Sequence, residues 1–176
     1  MDTKDILTLV SIIVAALIGI IGFALTIWQV NKAKKIKEMD FVSSVISTIR
    51  TNANISQALY LIEYGSEWYD EKFHGSEIEK GIDALLSQFD YFCYGREAKL
   101  ISNKTFSYFE YILHRIVNDS QVRGYLWNVY HWSLSIGQTC PFIHIINCMK
   151  EELTKEEIQT FNSEEPKGPY KKYLNF

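Results

Sequence analysis

Residues 6–30, ILTLVSIIVAALIGIIGFALTIWQV, are 25 consecutive positions without a charge. Wound as a helix at ~1.5 Å per residue they reach roughly 37 Å, enough to cross the ~30 Å hydrocarbon of a bilayer with some tilt. Four lysines follow at once, at Lys32, Lys34, Lys35 and Lys37. This stretch determines where a chain can live before anything else about it is read.

A secretory signal is the competing explanation. Such a signal has a basic start, an apolar core of about 7–15 residues and a small-residue cleavage site. Here the start is MDTKD, the core is too long, and the run ends in Trp28-Gln29-Val30, which is no A-x-A site. An uncleaved span is expected, with Trp28 at the interface where aromatic side chains collect. The lysine flank sets its direction, because basic residues stay on the cytoplasmic side. Residues 1–5 are then outside, and everything after the span faces the cytoplasm of a cell whose inner (plasma) membrane holds it. The N-x-S/T sequons at Asn103 and Asn118 are accordingly read as chance matches.

Two further readings attach to the span. Ser11, Ala15 and Gly19 recur every four residues, a small-residue face along which helices approach closely, so a homo-oligomer is one expectation. Frequent Ala and Gly in any span is the plainer explanation. Lys32, Lys34, Lys35 and Lys37 suit anionic lipid headgroups as well as fixing topology.

Charge divides unevenly along the chain. The first 37 residues hold five lysines and two aspartates, a net of +3, whereas the remaining 139 hold thirteen Lys and Arg against nineteen Asp and Glu, a net of −6. An acidic soluble part argues against nonspecific nucleic-acid binding, which draws its affinity from phosphate neutralisation. Cys93, Cys140 and Cys148 are odd in number and form no C-x-x-C, so a reducing compartment is the simpler reading.

After the span, periodicity of three and four predicts helices throughout. Residues 31–52 continue the spanning helix, with Phe41, Val45, Ile46 and Ile49 on one face. Residues 53–162 form the helical domain and 163–176 a tail. Within the domain a short helix over 55–64 stops at Gly65, and residues 66–75 form a connecting loop or a short turn of helix. Ser76-x-x-Glu79 is a capping box that opens a helix carrying Ile82, Leu85, Leu86, Phe89, Phe92 and Cys93, with Gly95 as its end. Asn103 caps the next helix, and Asp119 or Ser120 the one after, which ends near Gly137. Thr139-Cys140-Pro141 begins a further helix through Met149, and Thr154-x-x-Glu157 is a second capping box. No stretch alternates with period two, so the fold class expected is all-α: one N-terminal transmembrane helix continuing into a bundle of four to six helices.

The residues that carry chemistry elsewhere are sparse here. Phosphate-loop, dinucleotide, zincin and EF-hand patterns are missing from the sequence, and no catalytic residue, metal or cofactor is assigned. His144 and Cys148 lie one turn apart, but isoleucines surround the histidine and no cysteine pair supports zinc. Asp83, Asp90 and Glu97 recur at sevens, which a solvated helix face explains most simply. Glu110 and His114 make an i,i+4 surface pair, and Arg115 and Arg123 suit polar recognition. The densest local feature is the aromatic cluster of Tyr125, Trp127, Tyr130, His131 and Trp132. Packed core is the first explanation for it; a partner or ligand surface formed by Arg115, Tyr125, Trp127, Tyr130 and Trp132 is the second.

The segments LLSQFDYFCYG, KLIS, FSYFEYILHRIVNDSQVRGYL, VYHWS and CPFIHII, within residues 85–150, resemble a family of small uncharacterised bacterial single-pass membrane proteins with a cytoplasmic helical domain. The resemblance implies membrane anchoring and a helical fold, and no activity or site residues. The expected function is thus a membrane-anchored cytosolic interaction domain, non-catalytic, binding the bilayer and an unknown protein partner or itself. The alternative is a ligand-sensing membrane effector, of a phage-defence or stress type, acting through its transmembrane helix.

Overall fold

The computed structural model describes residues 2–65, 67–167 and 170. Among them every regular element is a helix: α1 (Thr3–Thr51), α2 (Ala53–Glu63), α3 (Glu77–Glu97), α4 (Asn103–Asn118), α5 (Ser120–Ser135), α6 (Ile143–Glu152) and α7 (Lys155–Phe161). The chain divides into two compact units, Met1–Phe41 and Val42–Phe176.

The first unit is the greater part of α1. Its apolar window has a mean hydropathy of 2.8, and none of that window is buried within the protein. Thr8 and Thr26 donate their hydroxyls to the carbonyls of Lys4 and Gly22, and Ser11 donates to Thr8. The helix thereby satisfies its own polar atoms, the condition a lipid environment sets. Among the described residues it is the one helix long and apolar enough to cross a membrane.

The second unit is built around α3. Ile82, Leu85, Leu86, Phe89, Phe92 and Cys93 are all 1% exposed or less, and each large apolar side chain so buried contributes ~1.5–3 kcal/mol. Phe92 stacks on Phe106 of α4 with ring centroids 4.9 Å apart and meets Phe109 edge-on at 4.4 Å. Against α2 the approach is closer still. A Cβ on Gly81 would lie 2.7 Å from the carbonyl oxygen of Asn54, so only glycine lets these backbones pass.

Helix starts are set by side chains. Asn52 accepts from the N–H groups of Asn54 and Ile55 and opens α2. Asp119 accepts from Gln121 and Val122 and opens α5, as its position in the sequence suggests. Thr154 and Glu157 complete the capping box of α7 in both directions. Four expectations need correction. Ser76 caps α3, but the Glu79 carboxylate turns to Gly75 N–H and His74 Nδ1 rather than back to Ser76, so only half the box forms. Ser102, not Asn103, caps α4. Helix α3 runs two residues past Gly95: Lys99 takes the left-handed conformation (φ 56°) that turns the chain, and Gly95 lies under Ile101. Helix α6 begins at Ile143 and has no cap on its own strand of sequence.

Residues 67–75 do more than connect. Trp68, Tyr69 and Phe73 are 1–3% exposed, and Tyr69 and Phe73 place their rings 5.5 and 5.1 Å from Tyr125. Gln121 Oε1 holds the segment by accepting from the backbone N–H of Trp68 at 2.7 Å and of Tyr69 at 2.8 Å. Of the tail, Trp127 Nε1 donates to the Ser163 carbonyl at 3.1 Å, and Tyr170 stacks on Trp127. Residues 168, 169 and 171–176, which the sequence assigns to an extended tail, lie outside the described residues.

Candidate functional site

Of the stripe of Asp83, Asp90 and Glu97, the first two are half-buried rather than solvated, and Glu97 is exposed. Asp83 accepts from the Tyr125 hydroxyl at 2.6 Å. Asp90 accepts from the N–H groups of His144 and Ile145 at 2.8 and 2.9 Å, which supplies the missing cap of α6. Glu97 bonds His144 Nδ1 at 2.7 Å and Asn147. Asp83 and Asp90 therefore form a polar seam of α3 against α5 and α6, and exposed Glu97 adds a surface pair to α6. Burial raises the pKa of both Asp83 and Asp90, against the hydrogen bonds they accept.

Beyond the seam, α3, α4 and α6 line an open cleft of about 530 Å³. Helix α3 contributes Arg96, α4 contributes Phe106, Glu110, Tyr111, Leu113 and His114, and α6 contributes Cys148, Glu151 and Glu152. The Arg96 guanidinium sits 4.5 Å over the Phe106 ring and donates to Glu151. His114 turns to Glu152 at 2.8 Å rather than to Glu110, which overturns the i,i+4 pairing expected on α4. Asn118 donates to the same Glu152 oxygen at 2.9 Å. Tyr111 stands 66% exposed at the cleft. Three carboxylates thus face two basic side chains, both of which are engaged by α6. The i, i+4 spacing of Glu110 and His114 was visible in the sequence, but their meeting with Glu151 and Glu152 was not, because it depends on how α6 packs.

Cys148 lines this cleft and is 4% exposed, and Cys93 on α3 is fully buried. Among the described residues no group of three or more His, Cys, Asp or Glu side chains is placed to hold a metal ion.

The aromatic cluster is divided. Tyr125 and Trp127 are 3% exposed and belong to the core, so they present no surface. Tyr130 packs against Phe161, and Lys150 Nζ lies 4.9 Å over its ring. His131 bonds the Phe161 carbonyl at 2.8 Å. Trp132 is exposed, near Leu134 and Ile136 at the end of α5. Arg115 donates to the Glu63 carbonyl at the end of α2, and Arg123 joins the Val117 carbonyl, Asn118 and Glu157. The cleft contains none of Arg115, Tyr125, Trp127, Tyr130 or Trp132.

On α1, Ser11, Ala15 and Gly19 are exposed, and nothing lies within 4 Å of where a Gly19 Cβ would stand. Lys32 Nζ sits 5.2 Å over the Trp28 ring, and Lys34, Lys35 and Lys37 follow on the same helix.

No family model, curated protein or solved structure matches the chain. The fold and the cleft therefore have to carry the functional reading.

Proposed function

We propose that this chain is a single-pass protein of a bacterial inner membrane that presents a cytosolic recognition domain, with the α3/α4/α6 cleft as its binding surface. The cleft carries the reading. It is open, rimmed by exposed Tyr111 and by Glu110, Glu151 and Glu152, and sits on rigid helices rather than loops. Its acidic lining favours a basic segment of a protein partner. The domain acts by binding rather than by turnover. The span at residues 6–30 keeps it at the membrane, Lys32, Lys34, Lys35 and Lys37 hold it on the cytoplasmic side, and the face of Ser11, Ala15 and Gly19 lets two copies pair.

A photo-crosslinking residue in place of Tyr111, in the full chain in native membranes, tests the site. A discrete protein adduct that disappears on Glu110→Lys and Glu152→Lys is expected. An adduct indifferent to both charge reversals rules the cleft out.

A second reading is favoured by one quantity. A volume of about 530 Å³ lies in the range of ~300–1,000 Å³ typical of small-molecule pockets, so a ligand-sensing effector that signals through α1 is the alternative. Native mass spectrometry of the full chain released from micelles separates the two. A retained small molecule, lost on Tyr111→Ala, selects sensing.

A further inference from the structure

Tyr170 is the last described residue, and it is anchored. It is 6% exposed, stacked on Trp127 of α5 at 6.1 Å and edge-on to Phe161 of α7 at 5.6 Å. Two short routes lead from this anchor to the cleft. Lys150 Nζ lies 5.0 Å from the same Phe161 ring, and the next two residues of α6, Glu151 and Glu152, line the cleft. One turn before Trp127 on α5, Arg123 donates to Asn118 Oδ1 at 2.5 Å, and Asn118 donates to Glu152 at 2.9 Å. The sequence after Tyr170 is Lys171-Lys172-Tyr173-Leu174-Asn175-Phe176, outside the described residues. Extended at ~3.3–3.6 Å per residue, this segment reaches roughly 20 Å.

Charge points to the same place. The cleft sets Glu110, Glu151 and Glu152 against Arg96, an excess of two negative charges with His114 neutral. Glu151 is engaged by Arg96 and Glu152 by His114 and Asn118, while Glu110 is exposed at the rim. Lys171 and Lys172 carry the matching two positive charges. Tyr173 and Leu174 then bring apolar surface to a lining that includes Phe106, Tyr111 and Leu113.

We propose that residues 171–176 dock in the α3/α4/α6 cleft of their own chain, with Lys171 and Lys172 facing the carboxylates of Glu110 and Glu152. The segment is a tethered ligand that an incoming basic segment has to displace. This rests on the reading of the cleft as a site for basic segments, and it supplies the regulation of that site. A short tether holds its ligand at an effective concentration of about millimolar, so even a weak contact fills the cleft. The anchor at Tyr170 lowers the ordering cost of docking further.

A photo-crosslinking residue in place of Tyr111, in the purified full chain alone in detergent micelles, tests this by peptide mapping. A cross-link from that residue to a peptide containing residues 171–176 is expected. In a mixture of chains with heavy and ordinary nitrogen, each cross-linked pair should carry one label throughout. Lys171→Glu with Lys172→Glu should lower the yield about threefold or more, Glu110→Lys with Glu152→Lys should do the same, and all four together should recover it. In native membranes, a chain stopped after Tyr170 should give about three- to tenfold more of the partner adduct. No cross-link to residues 171–176, a yield indifferent to the charge reversals, or an adduct unchanged by the stop overturns the proposal. Pairs that mix the two labels overturn it as well, because the tail then belongs to a second copy. A charge-sensitive partner adduct without the tail cross-link removes the tail alone and leaves the cleft as a binding surface; loss of both strikes the reading beneath it.

Discussion

Asp90 Oδ1 accepts the backbone N–H of His144 at 2.8 Å, across 54 residues of chain. A residue in the middle of α3 thereby caps the start of α6, whose own sequence offers no capping side chain. Asp90→Ala removes that cap, and we expect it to destabilise the domain by ~0.5–2 kcal/mol, whereas Asp90→Asn, which keeps an acceptor oxygen, loses less. Urea unfolding of the full chain in micelles measures both. Hydrogen exchange should place the lost protection in the first turn of α6.

Asp83 and Tyr125 allow a test by pH. Burial holds the folded-state pKa of Asp83 above 3.8, chiefly against the hydrogen bond from Tyr125. The folded state then binds this proton more tightly than the unfolded state. Its contribution is fully present below the unfolded pKa and is lost as pH rises through the folded pKa. Asp83→Asn keeps an acceptor for Tyr125 and removes the buried charge. Relative to the unsubstituted chain, the variant should therefore be most favoured at pH 7 and lose that advantage as pH falls toward 4. Asp83→Ala behaves differently: it strands the Tyr125 hydroxyl and costs ~1–3 kcal/mol at neutral pH. Stability curves at several pH values distinguish the two.

Gly81 carries a packing prediction. Its missing Cβ is what admits the Asn54 carbonyl, and a methyl at 2.7 Å would force two helix backbones apart. Gly81→Ala should cost ~1–3 kcal/mol despite alanine's better helix propensity, as overpacking does. Gly19→Ala is the contrasting case, because nothing stands within 4 Å of that position. Its effect on the stability of the helical domain should be indistinguishable from zero in the same unfolding assay.

Much of this fold was legible in the sequence, and the failures share a cause. Apolar residues at steps of three and four marked α3, α4 and α5, and Asp119 and Thr154 marked true helix starts. What escaped were features set by distant partners. Trp68, Tyr69 and Phe73 lack a period, so the segment read as loop, yet Gln121 and Tyr125 draw it into the core. Asp83 and Asp90 looked solvated, as Glu97 is, because a charge repeat on a lone helix is normally exposed; the helices that need those two carboxylates begin tens of residues later. The cleft escaped for the same reason, since Arg96, His114 and Cys148 meet only through the packing of α3, α4 and α6. Of the surface read from the aromatic run, Tyr125 and Trp127 proved to be core, because side chains with one polar tip serve either role equally well.

The lysines after the span should govern direction. Replacing Lys32, Lys34, Lys35 and Lys37 together by glutamine removes the basic asymmetry across the apolar run and leaves its length unchanged. A mixed or inverted orientation is expected, since each flanking charge biases which side is retained. Protease protection in sealed vesicles reports the fraction inverted.

The central claim is that α1 crosses a membrane and leaves the acidic helical domain in the cytoplasm. A dual reporter fused after the last residue and expressed in a bacterial host measures it most directly, with one moiety active only inside and the other only outside the inner membrane. Cytoplasmic activity that sediments with membranes and resists alkaline extraction is the predicted result. Activity of the external moiety, or a fusion released by alkali, would contradict the account.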